Sequence, residues 1–338
     1  MPESEIINVV VAMNFSDELL NSLRGVSPRL RIERYTGTVP ERAWANVEIL
    51  YTGNTFPKPE QAPRLRWIQL HSAGVNHAMR EPILQSGDIE VTTVSGIHAV
   101  PMSEFSIAMM LAFTYRVPKM LELQGKGEWL ENRDDFFTPT PLRGQTLGIV
   151  GYGSIGRELA RAADALGMKV LATKRDVMHP EDEEAYAEPG TGDPAGEIPT
   201  RLYPPEALAS MAHECDFLVI TVPLTENTRH MVDANVLKQM KKTAVLVNVA
   251  RGAVVDEAAL TETLQARRIG GAALDVFEHE PLPPESPLWK LDNVILTSHI
   301  SGNFSRYNES AAALFRENLE RYIENLPLLN VVQRERGY

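Results

Sequence analysis

The stretch TLGIVGYGSIG at positions 146–156 decides the fold. An apolar strand runs directly into a G-x-G-x-x-G pattern, and an amphipathic helical pattern starts immediately behind it. In this setting Gly151 permits the tight turn, Gly153 lets a pyrophosphate approach the backbone, and Gly156 lets helix and strand pack closely. The stretch predicts a dinucleotide-binding βαβ unit, and a plain tight βα turn is the alternative interpretation.

The helix behind the motif places its apolar residues on one stripe with a period near 3.6. Its first turn offers backbone N–H groups and the positive end of the helix dipole, and both suit a phosphate group. We therefore predict that six consecutive positions bind the cofactor: Gly151, Tyr152, Gly153, Ser154, Ile155 and Gly156.

Outward from the motif, short apolar runs alternate with polar helical stretches, as in an α/β protein. The first part of the chain holds four such runs, and the central part holds six candidate strands, the number in a doubly wound dinucleotide fold. The fold class is predicted to be α/β with two doubly wound domains, the second of which is a Rossmann NAD(P)-binding domain. The runs are 6–13, 47–51, 67–70 and 89–93, then 146–150, 169–173, 216–222, 243–248, 270–274 and 293–297.

The length of 338 residues also suits two domains of about 150 residues each. A helical pattern from about residue 303 to residue 325 follows the last strand and is expected to pack back on the first domain. We therefore predict a discontinuous first domain of residues 1–100 plus 301–338, and a dinucleotide-binding domain of residues 101–300.

The segment 176–200 interrupts this rhythm with four prolines, three glycines, eight acidic residues and no Lys or Arg. We interpret it as an acidic loop insertion that either covers the adenosine end of the cofactor or extends into solvent. It carries most of the formal net charge of −12, which arises from 33 basic and 45 acidic residues. So acidic a chain is not expected to bind nucleic acid, because that binding requires a basic surface.

Several further classes of protein are disfavoured. The only cysteine, Cys215, allows neither an intrachain disulfide nor a cysteine-based zinc site. The N-terminus lacks the order of a signal peptide, and the longest strongly apolar run, 105–115, is shorter than the about 20 residues that span a bilayer. Histidines and carboxylates show no metal-ligand spacing with a supporting context. We expect a cytoplasmic protein that binds no metal and no membrane.

The cofactor is selected at the end of the second central strand, where NAD-binding proteins usually place an acidic residue for the ribose hydroxyls. This chain has Lys174 and Arg175 there. Two cations would pair with a 2′-phosphate, so we predict NADP(H) as the preferred cofactor, with NAD(H) possible. The alternative is that both cations are ordinary surface charges and that Asp176 turns back to the ribose.

Three motifs follow late strands, at the sheet edge where doubly wound folds bind ligands. They are NVARG at 248–252, LDVFEHEP at 274–281 and LTSHI at 296–300. Together with the glycine motif they resemble the D-isomer-specific 2-hydroxyacid dehydrogenases over nearly the whole chain. The stretch 280–289 and the RGY ending at 336–338 are similar to the NADPH-dependent glyoxylate/hydroxypyruvate reductases within that family.

The resemblance implies a catalytic set of Arg251, Glu280 and His299. Reduction of a 2-oxo acid requires a cation for the substrate carboxylate and carbonyl, and the planar fork of Arg251 suits that task. It also requires a proton donor, for which His299 is suited because histidine changes its charge near neutral pH. Glu280 would pair with His299 and orient its ring. Taken singly, each residue could instead be an ordinary surface or turn residue.

The same resemblance implies that the discontinuous first domain is a flavodoxin-like, substrate-binding domain, and it also supplies further site residues. Asp275 corresponds to a residue near the nicotinamide carboxamide, although a capping or turn role is an alternative. The loop that begins at Val222 corresponds to the wall of the adenosine site. The segment 72–76 resembles a loop whose backbone N–H groups bind the substrate carboxylate, with a plain βα turn as the alternative. The residues predicted here are Val222, Pro223, Thr228, Ala250 and Asp275 for the cofactor, and Ser72, Ala73, Gly74 and Val75 for the substrate, beside Arg251 and His299.

The activity implied is the reduction of small 2-oxo acids, of the glyoxylate or hydroxypyruvate type, to D-2-hydroxy acids with NAD(P)H. The alternatives are a dehydrogenase for larger 2-oxo acids and a nucleotide-sensing, corepressor-like binding protein on the same fold. The resemblance also implies a homodimer formed through the nucleotide-binding domain, with Trp129 in the segment that corresponds to a dimer arm. Ser298 stands where the family commonly has proline, which should affect loop rigidity more than chemistry.

Overall fold

The computed structural model of the chain describes residues 6–75, 77–85, 87–182 and 186–334. The chain divides into two compact units. The first unit comprises Met1–Ile97, Glu184–Glu188 and Phe304–Tyr338, and the second comprises His98–Glu183 and Pro189–Asn303. Each unit contains one parallel sheet with helices, which confirms the predicted α/β fold class.

The described residues form strands and helices in an alternating order. The strands are β1 (Ile7–Ala12), β2 (Leu30–Arg34), β3 (Ile49–Thr52), β4 (Trp67–Leu70), β5 (Glu90–Thr92), β6 (Thr146–Val150), β7 (Lys169–Thr173), β8 (Arg201–Tyr203), β9 (Phe217–Ile220), β10 (Val245–Asn248), β11 (Gly271–Leu274) and β12 (Val294–Leu296). The helices are α1 (Asp17–Arg24), α2 (Glu41–Trp44), α3 (Ala99–Thr114), α4 (Val117–Lys126), α5 (Arg133–Phe136), α6 (Ser154–Ala165), α7 (Leu208–Glu214), α8 (Ala234–Gln239), α9 (Glu257–Gln265) and α10 (Tyr307–Ile323). Short 3-10 turns occur at Pro59–Gln61, Pro82–Gln85, Pro205–Ala207, Gly252–Val254 and Pro287–Lys290.

The sheet of the first unit has the strand order β2-β1-β3-β4-β5, which is the flavodoxin-like order. Successive residues of β1 point to opposite faces, so Val10 joins one apolar core while Val9 and Val11 join the other. The helix α10 packs on the second of these faces through Ala312, Phe315 and Leu319. The strand β2 was not predicted, because its sequence LRIER has only two apolar residues in an edge position.

The sheet of the second unit has the order β12-β11-β10-β9-β6-β7-β8. Counted from the glycine motif, this is the doubly wound order 3-2-1-4-5-6 with a seventh strand added at the edge. The six strands expected here are all present, but the third strand of the fold is Arg201–Tyr203, which the sequence pattern did not indicate. Its three residues are too few to show an apolar run.

The core of the second unit lies on both faces of this sheet. Alternate residues of β6 separate in the same way as in β1: Leu147 and Ile149 join one cluster and Val150 joins the other. The apolar stripe predicted for α6 consists of Ile155, Leu159, Ala162, Ala163 and Leu166. Leu159 and Ala163 lie in the first of these clusters together with Ala160, which was not predicted, whereas Ala162 and Leu166 lie outside the buried set. This packing fixes the start of α6 against the end of β6, where the glycine motif lies.

Candidate active site

The glycine motif forms the turn between β6 and α6. Gly151 has a positive φ of 104°, and a Cβ atom at Gly156 would lie 2.3 Å from the carbonyl oxygen of Gly151, so neither position tolerates a side chain without rearrangement. A Cβ atom at Gly153, by contrast, would have no heavy atom within 4 Å. Gly153 is also the N-cap of α6 and provides no capping side chain, which leaves the first-turn N–H groups of the helix for another acceptor.

The three other motif positions differ in their surroundings. Tyr152 is buried, and its hydroxyl donates to Asp193 Oδ2 at 2.5 Å. Burial is the main cause of the raised pKa of Tyr152, and the carboxylate of Asp193 adds to it. Ile155 packs against the core beside α6, while Ser154 is partly exposed at the first helical position. The side chains of Tyr152 and Ile155 therefore pack into the apolar core and stabilise the turn.

The two cations at the end of β7 are placed differently. Lys174 is half-buried, and its Nζ donates to the carbonyl oxygens of Pro180 at 3.2 Å and Glu181 at 3.0 Å. Burial lowers the pKa of Lys174, and the positive charge of Arg157 acts in the same direction. Arg175 is exposed.

Asp176, the alternative ribose ligand, is engaged in its own turn. Its Oδ1 accepts from the backbone N–H groups of Met178 at 3.0 Å and His179 at 3.3 Å, and its Oδ2 lies 2.7 Å from Nδ1 of His179. The hydrogen bond from His179 is the main cause that lowers the pKa of this carboxyl group. These contacts favour a turn-forming role for Asp176.

The loop after β9 lies directly beside the glycine motif, because a Cβ atom at Gly151 would meet Cγ1 of Val222 at 2.6 Å. Thr228 shapes this loop from within: its hydroxyl donates to the carbonyl oxygen of Pro223 at 2.6 Å and accepts from the N–H of Thr225 at 2.8 Å. The structure thus places Val222 and Pro223 next to the motif and gives the Thr228 hydroxyl a structural role.

Arg251 lies in the turn after β10, which the buried Asn248 organises. The amide of Asn248 accepts from the N–H of Ala250 and donates to the carbonyl oxygen of Arg251, both at 3.1 Å. The guanidinium of Arg251 is half-buried and donates to the carbonyl oxygen of Ala250 at 2.6 Å. Burial lowers the pKa of Arg251, and the charge of Glu280 opposes that shift. A carboxylate thus lies within electrostatic reach of this cation.

Gly252 brings the Arg251 turn against the loop that carries Glu280. A Cβ atom at Gly252 would lie 1.8 Å from the carbonyl carbon of Phe277 and 2.3 Å from the nitrogen of Glu278. Only glycine permits two backbones to approach so closely. A second connection runs through His230, whose Nε2 lies 2.6 Å from Oε1 of Glu278 and whose N–H donates to Ala253.

His299 and Glu280 form a pair, with Nδ1 of the ring 2.8 Å from Oε2 of the carboxylate. The other oxygen of Glu280 accepts from the N–H of Phe277 at 3.0 Å, which holds the carboxylate in place. His299 has a positive φ of 54°, an uncommon conformation for a residue with a side chain. Its side chain is 46% exposed, so the ring is accessible while its Nδ1 faces Glu280.

Asp275 is buried and maintains the conformation of the loop around His299. Its carboxylate accepts from the hydroxyl of Thr297 at 2.6 Å and from the N–H groups of Ile300 and Ser301 at 2.9 Å, and its carbonyl oxygen accepts from the N–H of His299. Burial acts to raise the pKa of Asp275, but the hydrogen bonds from Ser301, Thr297 and Ile300 outweigh it and leave that pKa below its ordinary value. These contacts favour the turn role, which was the alternative that the sequence left open for Asp275.

In the first unit, the predicted substrate loop follows β4. The hydroxyl of Ser72 donates to the carbonyl oxygen of Gly74 at 2.8 Å, and the carbonyl oxygen of Ser72 accepts from the N–H of Val94. Ala73 is half-buried and Val75 is buried. Asn76, the last residue of the motif, lies outside the described residues. The local geometry is that of a tight turn closed by its own side chain.

His71 precedes this loop and was not assigned a role from the sequence. Its Nδ1 lies 2.6 Å from the hydroxyl of Tyr51, and its carbonyl oxygen accepts from the hydroxyl of Tyr307 at 2.9 Å. Burial lowers the pKa of His71 from 6.5 to about 4, so the ring is neutral at pH 7. The neutral ring can accept a hydrogen bond from the Tyr51 hydroxyl at Nδ1. This bond connects the start of the loop to the aromatic core.

The sequence pattern missed the residues that connect the motifs to one another. Arg157 and Asp193 connect α6 to the acidic insertion, and His230 and Glu278 connect the loops after β9 and β11. Nothing in the spacing of these pairs, 36 and 48 residues apart, could have indicated them. Within the described residues there is no group of three or more His, Cys, Asp or Glu that could hold a metal ion, and no helix there is long and apolar enough to cross a membrane.

Comparison with known protein families places the second unit in context. Residues 107–301 match the family model of the D-isomer specific 2-hydroxyacid dehydrogenase, NAD binding domain. The glyoxylate reductase of Aeropyrum pernix is 36% identical over 279 residues, which cover 81% of this chain and 78% of that protein. The match therefore extends over both compact units.

Solved structures agree with the sequence match. The D-isomer specific 2-hydroxyacid dehydrogenase from Xanthobacter autotrophicus Py2, solved with NADPH and MES, superimposes with a TM-score of 0.79 at 27% identity, covering 99% of this chain and 100% of that one. The NADPH-dependent glyoxylate/hydroxypyruvate reductase from Sinorhizobium meliloti, solved with NADP and sulfate, gives a TM-score of 0.78 at 26% identity, covering 98% and 100%. The resemblance inferred from the motifs is confirmed: the chain belongs to the D-isomer specific 2-hydroxyacid dehydrogenase family of oxidoreductases.

Proposed function

We propose that this enzyme reduces small 2-oxo acids, of the glyoxylate or hydroxypyruvate type, to D-2-hydroxy acids with NADPH. The observation that carries the proposal is the His299–Glu280 pair, whose Nδ1 and Oε2 atoms are 2.8 Å apart. The Arg251 turn packs through Gly252 against the loop that carries Glu280. A proton donor with an oriented ring and a desolvated cation are the two groups that reduction of a 2-oxo acid demands.

His299 is the proposed proton donor. A carboxylate can only accept, so the 2.8 Å contact to Glu280 places a proton on Nδ1 of the ring. Nε2 is then the nitrogen that faces a ligand, and in the imidazolium form it carries a second proton for the new alkoxide. Glu280 stabilises that charged form and, being held by the N–H of Phe277, keeps the ring in one orientation. Asp275 has a positioning role, because it holds the backbone on either side of His299.

Arg251 is the proposed substrate ligand. Its guanidinium presents parallel N–H groups that match a planar carboxylate, and its partial burial strengthens that attraction by excluding water. The hydrogen bond to the carbonyl oxygen of Ala250 uses one N–H group of Nη1 and leaves the fork in a defined position. In the first unit, the Ser72–Val75 loop remains the proposed segment for backbone contacts to the substrate carboxylate.

The residues of the second unit fit a dinucleotide cofactor. The open space above Gly153 and the uncapped start of α6 suit a pyrophosphate, and Val222 and Pro223 provide an adjoining apolar wall. The bound cofactor would supply the hydride. We accordingly propose that residues 101–300 form the cofactor-binding domain and that residues 1–100 with 301–338 form the substrate-binding domain.

NADPH is the proposed preference because cations, not an acidic side chain, follow β7. Asp176 is committed to its own turn, whereas Lys174 and Arg175 provide positive charge for a 2′-phosphate. The structural neighbours from Xanthobacter autotrophicus and Sinorhizobium meliloti, which were solved with NADPH and NADP, support the same choice. The name of the Aeropyrum pernix relative supports glyoxylate as a substrate.

The test is cofactor oxidation at the nicotinamide absorbance band with a panel of 2-oxo acids. Glyoxylate and hydroxypyruvate should give the highest kcat/KM, and NADPH should exceed NADH with each. Higher kcat/KM with branched or aromatic 2-oxo acids would favour the dehydrogenase for larger substrates. Tight binding of NADPH without turnover of any 2-oxo acid would favour a nucleotide-sensing protein and refute the proposal.

We also propose a homodimer formed through the second unit. This unit carries exposed apolar side chains on α4 and just beyond it, with Leu121 61% and Trp129 83% exposed. Tyr115, Val117 and Met120 of the same segment are exposed as well, and an exposed apolar patch of several side chains is typical of a protein–protein interface. Light scattering should give twice the chain mass, and the Leu121→Glu/Trp129→Glu variant should shift it toward that of a monomer. A monomeric mass for the unmodified protein would contradict the dimer.

A further inference from the structure

The acidic insertion is attached to the cofactor-binding helix by one arginine. Arg157 directly follows the last glycine of the motif, in the first turn of α6, and is only 4% exposed. Its Nη1 donates to the carbonyl oxygen of Asp193 at 2.5 Å, and its Nη2 donates to that of Pro180 at 2.6 Å. Its Nε lies 3.6 Å from a carboxylate oxygen of Asp182. One side chain thus binds both arms of the insertion.

The two arms are also bonded to each other and to the glycine motif. The N–H of Asp182 donates to the carbonyl oxygen of Pro194 at 2.9 Å. The carboxylate of Asp193, 8% exposed, accepts from the Tyr152 hydroxyl at 2.5 Å and from the N–H of Ile198 at 3.0 Å. The guanidinium of Arg157 lies over the ring of Tyr152 at 4.7 Å. These contacts give the described parts of the insertion a defined conformation beside the motif, in contrast to the solvent-exposed loop that was one of the two expectations.

The same attachment reaches Lys174 at the end of β7. The carbonyl oxygen of Pro180 accepts from both Arg157 Nη2 and Lys174 Nζ, and the neighbouring carbonyl of Glu181 accepts a second bond from Lys174. An ammonium group has three N–H donors, so these two bonds leave the third for a ligand. The position of the lysine charge is therefore set by carbonyl groups that Arg157 holds.

We propose that Arg157 is a positioning residue for cofactor selectivity, which fixes the 180–181 carbonyl groups so that Lys174 presents its remaining N–H to the 2′-phosphate of a nucleotide. This inference rests on the proposed recognition of that phosphate by Lys174. In this proposal, the role of the insertion is to stabilise the site that binds the 2′-phosphate. The charge of Arg157 also opposes the negative charges of Asp182, Glu181 and Asp176 that act on Lys174.

The proposal predicts different changes in affinity for two nucleotides that differ only by the 2′-phosphate. Arg157→Lys retains the charge but cannot reach two carbonyl groups 13 residues apart with one planar fork. Lys174 should then lose its fixed position. The affinity for 2′,5′-ADP should fall by about tenfold, the size of one charge-assisted hydrogen bond, while the affinity for 5′-ADP should change by less than about twofold.

The experiment measures both dissociation constants by calorimetry on the full chain, without turnover. Four proteins are compared with the unmodified one: Arg157→Lys, Lys174→Ala, the double variant, and Arg161→Lys as a matched control. Arg161 lies on the same helix and pairs with Glu158, which accepts from the N–H of Gly192 in the insertion, but it does not contact the carbonyl groups that hold Lys174. Thermal melting verifies folding, and Arg157→Gln, which likewise cannot bind both carbonyl groups, replaces Arg157→Lys if that variant does not fold.

Because Arg157 acts through Lys174, the double variant should bind 2′,5′-ADP as weakly as Lys174→Ala alone, and Arg161→Lys should bind like the unmodified protein. Additive losses in the double variant, or equal losses for 5′-ADP and 2′,5′-ADP in Arg157→Lys, would overturn the positioning role. A Lys174→Ala variant that still prefers 2′,5′-ADP as strongly as the unmodified protein would refute the proposed phosphate recognition itself. The two failures are therefore distinguishable.

Discussion

Two histidines follow the carboxyl ends of parallel strands, one in each unit, and their surroundings are opposite. His71 comes directly after β4, lies against Tyr51 and Tyr307, and has a pKa that burial lowers to about 4. His299 comes three residues after β12, is 46% exposed and pairs with the carboxylate of Glu280. Burial keeps His71 uncharged at pH 7, whereas His299 lies near solvent beside an anionic partner.

The difference shows that strand-end position alone does not make a histidine an acid. Both rings receive one well-oriented neighbour at Nδ1, at 2.6 Å for His71 and 2.8 Å for His299. The chemistry differs because a phenol donates to a neutral ring, while a carboxylate requires a donor from it. We therefore expect changes at His299 to affect the rate and changes at His71 to affect stability.

The largest expected effect is that of His299→Ala. Loss of the proton donor should lower kcat for reduction of a 2-oxo acid by about 10³, within the range for general acid catalysis, while NADPH still binds. Steady-state kinetics and a fluorescence titration of NADPH measure the two quantities. His279→Ala, which removes an exposed histidine from the loop that carries Glu280, is the matched control. Nearly unchanged turnover in His299→Ala would remove this residue from the proposed mechanism.

The second effect concerns stability in acid. Because the pKa of His71 lies at about 4 in the folded protein and near 6.5 in the unfolded chain, the unfolded state takes up this proton first as the pH falls from 6.5 to 4. The free energy of unfolding should therefore drop by up to about 3 kcal/mol over that range through His71 alone. In His71→Gln, urea denaturation at pH 7 and pH 4 should show a correspondingly smaller drop. An equal drop in both proteins would contradict the buried neutral state, and His77→Gln serves as control for an exposed histidine in the same unit.

The smallest effect is expected for Glu280→Gln, which gives His299 an uncharged partner such as His71 has. Glu280→Gln retains an oxygen that accepts from Nδ1 but removes the negative charge that stabilises the imidazolium. We expect kcat to fall by about 30-fold, or about 2 kcal/mol, with KM for NADPH unchanged. If Glu285→Gln, an exposed change on the same loop, lowers kcat equally, the effect is not specific to the pair.

The fold and the main motifs were predictable because they follow local rules. The short apolar runs located β6 and β7 to the residue, and the glycine spacing located the start of α6. Elements with little local signal were missed, namely the edge strand β2 and the three-residue β8. The catalytic roles came from resemblance, whereas the main cofactor roles came from the glycine pattern and from the cations after β7. Both stay proposals, and the geometry favours structural roles for the side chains of Asp275 and Thr228.

The sequence by itself determined the alternation of strands and helices, the glycine turn and the order of the motifs, because backbone sterics and apolar periodicity act over a few residues. Only the tertiary structure decided which histidine is buried beside a phenol and which pairs with a carboxylate, that Gly252 must lack a side chain against Phe277, and that Arg157 holds the acidic insertion. Burial and charge depend on groups that are distant along the chain, and packing alone brings those groups together.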